Sequence, residues 1–261
     1  MEHNLETGLV SVEAIVVILL FLAFLLYPLA AALTSLRYKA WPLHRYFFWS
    51  IGLFCIAIVF TGPLADFAHN NFTGHMWAHL LLGMLAPLLL LLARPMTLLL
   101  RSLPISAARK VSSILKSLPF RLLSNPVTAF ILNIGGLYLL YMTSLYELMH
   151  QSLIAYALIH LHVFLAGYLF TASIIYIDVT SHHLGYLFRS IVLIVSLAAH
   201  KILSKLIYAY PPVGVPREQA EAGGMIMYYG GDIIELVIIA ILCGQWYKAT
   251  APRKSEMAEE V

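Results

Sequence analysis

Apolar residues run along this chain in seven long blocks, at roughly 9–33, 46–68, 73–100, 126–147, 153–177, 187–210 and 221–247, parted by short polar or basic stretches. A helix rising 1.5 Å per residue needs about 20 apolar residues to cross a bilayer. Each block is about that long or longer, and none shows the ~10-residue alternation of a barrel strand. The pattern predicts an all-α fold: a polytopic membrane helix bundle with seven transmembrane helices in a single membrane domain, residues 1–261. The first block follows an acidic MEHNLETG and is longer than the apolar core of a secretion signal, so it is expected to be a retained helix. The stretch around 101–125, containing LPISAARKVSSILKSLPFRLLS, reads as a basic amphipathic linker lying along the cytoplasmic interface.

Composition agrees with this class. Hydrophobic residues make up 61% of the chain and charged residues 11%, with a mean hydropathy of +0.85, which cannot cover a water-facing surface. Charge then sets orientation, because Lys and Arg near span ends favour the cytoplasmic side. Arg37, Lys39 and Arg45 lie between spans one and two, and Arg101, Arg109, Lys110, Lys116 and Arg121 between three and four. Arg189, Lys248, Arg253 and Lys254 fall on the same side, leaving little more than Arg217 on the other. The N-terminus is therefore expected outside and the C-terminus in the cytoplasm. The net charge of +3 is a topology signal and gives no reason to expect a nucleic-acid partner. Cys55 and Cys243 stand singly in different spans, so neither a CxxC clasp nor a disulfide is indicated.

Polar residues within the spans carry the remaining information, since each is costly in hydrocarbon and faces protein or a cavity. His75 and His79 are four apart at the start of span three and share a helix face. By counting along the spans, His160 and His200 come to a comparable depth in the outer half, with Asp66 and His69 at the outer end of span two. His160 and His162 are two apart and point to nearly opposite faces, so at most one belongs with the pair, and depth favours His160. Imidazole suits copper, zinc and iron, and thioethers from Met76, Met225 or Met227 would suit Cu(I). The competing reading is structural: a core histidine can donate to a carbonyl on the next helix and do nothing more. His182 and His183, in the turn TSHHLG, read as solvated loop residues. Lys201 and Lys205 share a face of span six, and Asp232 and Glu235 share one of span seven. They form either a structural charge network or a proton or ion path. Gly223, Gly224, Gly230 and Gly231 make a small-residue stripe for close helix contact.

Two segments carry a resemblance to a known family. GHMWAHLLLGMLAPLLLLLARP, from Gly74 to Pro95, resembles the HMxxHxLLxxxAPxLLxxxxP signature of the seven-span CtaG family, assembly factors of caa3-type cytochrome c oxidase. EQAEAGGMIMYYGGDIIEL resembles that family's last-span pattern, with Tyr228 or Tyr229 where the family commonly has Trp after the Gly-Gly, and with a single Pro87 in place of a frequent Pro-Pro. The resemblance implies a role in maturing haem-copper oxidase, in the metal insertion steps on the outer side. Taken with the histidines, the expectation is a multi-pass protein of the bacterial plasma membrane that binds copper at the outer side and hands it to an oxidase, without catalytic turnover. Partners would be cytochrome c oxidase subunits or other oxidase assembly factors, besides membrane lipid. The family's histidine pair falls on His75 and His79, with His160 or His162 and His200 as its membrane histidines. Two other classes fit the polar pattern: a b-type cytochrome with haem between facing histidines, and a metal or proton transporter using the polar residues of spans six and seven.

Overall fold

The computed structural model of the chain describes residues 2–180 and 183–251. His182, Arg253 and Lys254, named above, lie outside the described residues. Every regular element among the described residues is a helix: α1 (Glu2–Ser35), α2 (Leu43–Phe60), α3 (Pro63–Asn70), α4 (Phe72–Leu92), α5 (Pro95–Ser102), α6 (Ile105–Leu115), α7 (Leu118–Leu123), α8 (Pro126–Met142), α9 (Leu145–Gln151), α10 (Leu153–Ile174), α11 (Tyr186–Ala209) and α12 (Arg217–Thr250). Six of these, α1, α2, α4, α10, α11 and α12, are long and apolar enough to cross a membrane. The bent pair α8 and α9, angled by 77°, makes a seventh if counted as one span. Large apolar side chains point outward all around the bundle, with Phe21, Leu158, Ile194 and Leu236 each about 60% or more exposed (61, 60, 63 and 65%). Such a surface is stable against lipid and not against water; the chain is a multi-pass membrane protein.

Local chemistry sets where the helices stop. The second apolar block continues in sequence to residue 68, but α2 ends at Phe60 because Gly62 takes a positive φ of 75° and Pro63 starts a new helix, α3. The third block likewise breaks at Arg94, which adopts a left-handed φ of 57° before Pro95 opens α5. Proline excludes the preceding residue from the helical region. The fourth block bends at Thr143 and Ser144 between α8 and α9. In the linker, Pro104 and Ser117-Leu118-Pro119 divide the basic segment into the short helices α6 and α7.

Two spans contain a π turn. In α4 it covers Leu81–Leu85, just ahead of Pro87, and the Ala86 N–H reaches Leu81 O. A proline ring clashes with the carbonyl four residues back, here that of Gly83, and widening the helix there is a recurrent remedy. The Gly83 carbonyl instead faces α10, where a Cβ on Gly167 would lie 2.0 Å from its oxygen. Backbone therefore meets backbone between α4 and α10. In the second π turn, Ile131–Gly135 in α8, the Leu132 carbonyl accepts from the Gly136 N–H and also from His162 Nε2 at 3.1 Å.

The two ends of the bundle differ. At one, the α1–α2 and α4–α8 connections meet: Arg101 donates to Thr34 O (3.1 Å) and Lys39 O (2.6 Å), and Arg45 lies over the Trp41 ring. Asp178 accepts from the Met96 and Thr97 N–H groups at 2.7 and 2.8 Å, capping α5 from another loop. Arg189 belongs to this end but is buried, donating to Ile174 O at 2.6 Å between the rings of Tyr176 and Tyr186. The opposite end gathers α3, α9 and the α11–α12 turn, and Gln219 Oε1 there accepts from Phe72 N–H at 2.9 Å. The four glycines of the last span divide between two neighbours: Gly224 and Gly231 abut α11, whereas Gly223 and Gly230 abut α4.

The Gly83–Gly167 contact yields a direct test. Gly167→Ala puts a methyl group against backbone that cannot rotate away, and should destabilise the detergent-solubilised protein by about 1–3 kcal/mol. Gly230→Ala, whose Cβ would meet only the movable tip of Leu80, should cost less. Thermal unfolding of the two variants would show Gly167→Ala melting lower; equal melting points would contradict the packing argument.

Candidate metal centre

Four histidines from three helices converge in the interior. His75 and His79 are 6% and 5% exposed on the inward face of α4, His160 of α10 is 9% exposed and His200 of α11 is 3% exposed. Residues four apart share a face but sit about one turn apart along the axis. His75 and His79 accordingly meet different partners. The His75 and His160 ring centroids are 6.3 Å apart, and those of His79 and His200 are 6.4 Å apart. The tight α4–α10 contact at Gly83 and Gly167 brings the first two helices together, and Gly231, where any Cβ would lie 2.8 Å from His200 Cε1, makes room for the second ring.

Hydrogen bonds distinguish the four rings. His160 Nδ1 lies 2.8 Å from Tyr156 O; a carbonyl only accepts, so Nδ1 carries the proton and the neutral ring keeps its lone pair on Nε2. His75 Nε2 shares a 3.1 Å hydrogen bond with the Tyr141 hydroxyl. Neither nitrogen of His79 has a hydrogen-bond partner, although both are buried. His200 Nδ1 is 3.1 Å from Glu235 Oε1, at ion-pair distance but outside hydrogen-bond alignment, and its Nε2 has no partner either. Buried polar atoms are nearly always paired, which makes the free nitrogens of His79 and His200 the candidate site.

Two small cavities adjoin these atoms. One, of about 30 Å³, is lined by His79, His200, Glu235, Asn133, Thr171 and Ser196. The other, of about 10 Å³, lies among His75, His79, His160 and Tyr141. His79 borders both. Among the described residues no cluster of three or more His, Cys, Asp or Glu is close enough to hold a metal ion as it stands; the imidazoles are paired, not gathered round one point. The donor set on offer consists of the free ring nitrogens of His79 and His200, with the Glu235 carboxylate 3.1 Å from His200 Nδ1.

The remaining residues named from sequence are dispersed. His162 is occupied with the Leu132 carbonyl and is exposed. Met76 and Met227 are fully buried in the apolar cluster with Phe72, Tyr141 and Ile207. Met225 is 48% exposed and lines a groove between α11 and α12 with Lys205 and Tyr228. The four-residue charge network is divided: Lys201 pairs with Asp232, Lys205 lies by the Tyr228 ring, and Glu235 faces His200. His69 lies at the α3 end, its ring 5.7 Å from that of His150. Desolvation of the ring, and next the nearby His150, hold its pKa below the ordinary value, against the opposing charge of Asp66.

Several participants carry no sequence signal of their own. Tyr141 and Tyr146 look like interface aromatics, and Asn133, Thr171 and Ser196 look like scattered small polar residues. His150 sits beside Glu147 and Gln151 in a segment that reads as water-facing. Only the folded chain brings them to the histidines.

Comparison with known proteins places the sequence in a family. The profile described as cytochrome c oxidase caa3 assembly factor (Caa3_CtaG) matches residues 16–249. An uncharacterized protein of Mycobacterium leprae is 29% identical over 231 residues, covering 80% of this chain and 35% of its own length. Uncharacterized proteins of Mycobacterium bovis and Mycobacterium tuberculosis are each 34% identical over 168 residues, covering 60% of this chain and 25% of their lengths. The chain thus spans about a third or less of these curated relatives. No solved structure matches it. With nearly the whole bundle inside the matched region, the four converging histidines included, the chain belongs to the caa3 cytochrome c oxidase assembly factor family.

Proposed function

We propose that this protein serves cytochrome c oxidase assembly in the bacterial plasma membrane by binding copper as cargo between its buried imidazoles and passing it to oxidase subunits or to other assembly factors. The N-terminus faces outside and the C-terminus the cytoplasm, so that the α3 end and the histidines near it lie toward the outer surface. The protein binds and releases; it does not turn over a substrate. The observation that carries this reading is the set of four buried ring nitrogens without hydrogen-bond partners, two on His79 and two on His200, with only the Glu235 carboxylate near His200 Nδ1.

Distances and volume support an ion. A metal sits about 2.0 Å from an imidazole nitrogen, so two rings holding one ion from opposite sides have centroids about 6 Å apart. The His75–His160 and His79–His200 spacings of 6.3 and 6.4 Å are of that size, and small side-chain rotations would aim the nitrogens. Cu(I) accepts such low coordination, whereas structural zinc takes four ligands. A cavity of about 30 Å³ has room for an ion or a water molecule and not for a porphyrin, which favours copper over haem. Lys201 and Asp232 pair on a half-exposed flank, apart from the His200–Glu235 contact, which favours structural pairing there over a path through the membrane.

Elemental analysis of protein purified from copper-supplemented cells should find copper in the wild type and a loss of most of it in His75→Ala/His79→Ala. Equal copper in the two would remove the pair from the site. Glu235→Gln keeps the size of the side chain but removes its charge beside His200, and should weaken copper retention about 10- to 100-fold in competition with a chelator. Unchanged retention would assign Glu235 a purely structural part.

A further inference from the structure

A third pair of histidines opens to the surface. His69 at the end of α3 and His150 at the end of α9 have ring centroids 5.7 Å apart, with planes inclined by 35°. Both line a cleft of about 370 Å³ at the α3 end, together with Tyr146, Glu147 and Gln219. His150 Nδ1 lies 3.0 Å from Tyr146 O, so its proton is on Nδ1 and the lone pair of the neutral ring is on Nε2. His69 is exposed. Asp66, three residues before His69 on the same helix, and Glu147 beside His150 add negative charge, which raises the local concentration of cations.

This cleft stands next to the buried histidines. The Tyr146 ring is 4.7 Å from that of His150 on one side and 5.1 Å from that of His75 on the other. Phe72 completes the layer, 5.3 Å from Tyr146 and 6.0 Å from His75. One thickness of aromatic side chains therefore separates a surface imidazole pair from the first interior imidazole, and Tyr146 touches both.

We propose that His69 and His150 form a capture site for Cu(I) at the mouth of the bundle, and that Tyr146 is the barrier the ion passes on its way to His75. The inference rests on the copper reading of the interior. Two imidazoles at this spacing suffice for an ion content with two ligands. Zinc would need more, and among the described residues no cluster of three or more His, Cys, Asp or Glu is present to supply them. The ion keeps its oxidation state throughout, and each exchange replaces one imidazole nitrogen by another.

Anaerobic titration of the purified full chain in detergent with Cu(I), buffered by a chromophoric chelator, reads both stoichiometry and loading rate. Wild type should take up more copper than His69→Ala/His150→Ala, which should lose one equivalent and fill its remaining site more slowly. His75→Ala/His79→Ala should keep the surface equivalent and lose interior copper. Unchanged stoichiometry and rate in His69→Ala/His150→Ala would overturn the capture site. Full stoichiometry in His75→Ala/His79→Ala would instead overturn the interior reading, so the two failures are distinguishable. Gel filtration checks the fold of each variant. Should the double variant aggregate, His150→Asn alone gives the same readout, because Asn lacks the imidazole. Zn(II) serves as the control, and a surface site filled by Zn(II) while Cu(I) leaves it empty would also sink the proposal.

Discussion

An imidazole nitrogen held away from water must find a partner or remain at a cost of about 1–3 kcal/mol, and this bundle is arranged around that constraint. Three of the membrane histidines meet it inside the protein: His75 through the Tyr141 hydroxyl, His160 through the Tyr156 carbonyl and His162 through the Leu132 carbonyl. His79 and His200 do not, and they lie side by side. A fold could remove such a cost by placing apolar residues there. Here the two unpaired rings instead lie beside a cavity of about 30 Å³ that His79, His200 and Glu235 line.

Bringing those rings together requires helices closer than large side chains allow. Gly167 lets α10 rest on the Gly83 carbonyl, and Gly231 lets α12 pass the His200 ring. Pro87 contributes indirectly, because the π turn it provokes turns the Gly83 carbonyl toward α10. The residues that shape the centre are thus mostly ones without a functional group. His162, two positions from His160, is drawn to the other π turn, in α8, and its fit there depends on Gly136, where any Cβ would lie 2.5 Å from Nε2.

The two ends of the bundle are built differently. At one, Arg101, Arg189 and Asp178 tie loops to helix ends through backbone groups, a stiff arrangement with the cations spent on carbonyls and aromatic faces. At the other, short helices and an open cleft stand over the histidines, with an aromatic layer between.

Much of this was legible in the linear order of residues. Long apolar blocks cannot be anything but helices in lipid, because every backbone group must be satisfied within its own segment, so the all-helical membrane class followed from composition and periodicity alone. The spacing of His75 and His79 fixed their common face, and the span-three and last-span motifs carried the family. Where helices break was less legible: Thr61-Gly62, Arg94 and Thr143-Ser144 lie inside or at the edge of apolar blocks, and hydropathy does not register a backbone turn. Which rings meet was not legible at all. Counting along a helix gives depth but not the rotation of its neighbours, so the pairing of His79 with His200, of Glu235 with His200 rather than with a lysine, and of His69 with His150 was decided only by how the glycines and π turns set the helices against one another.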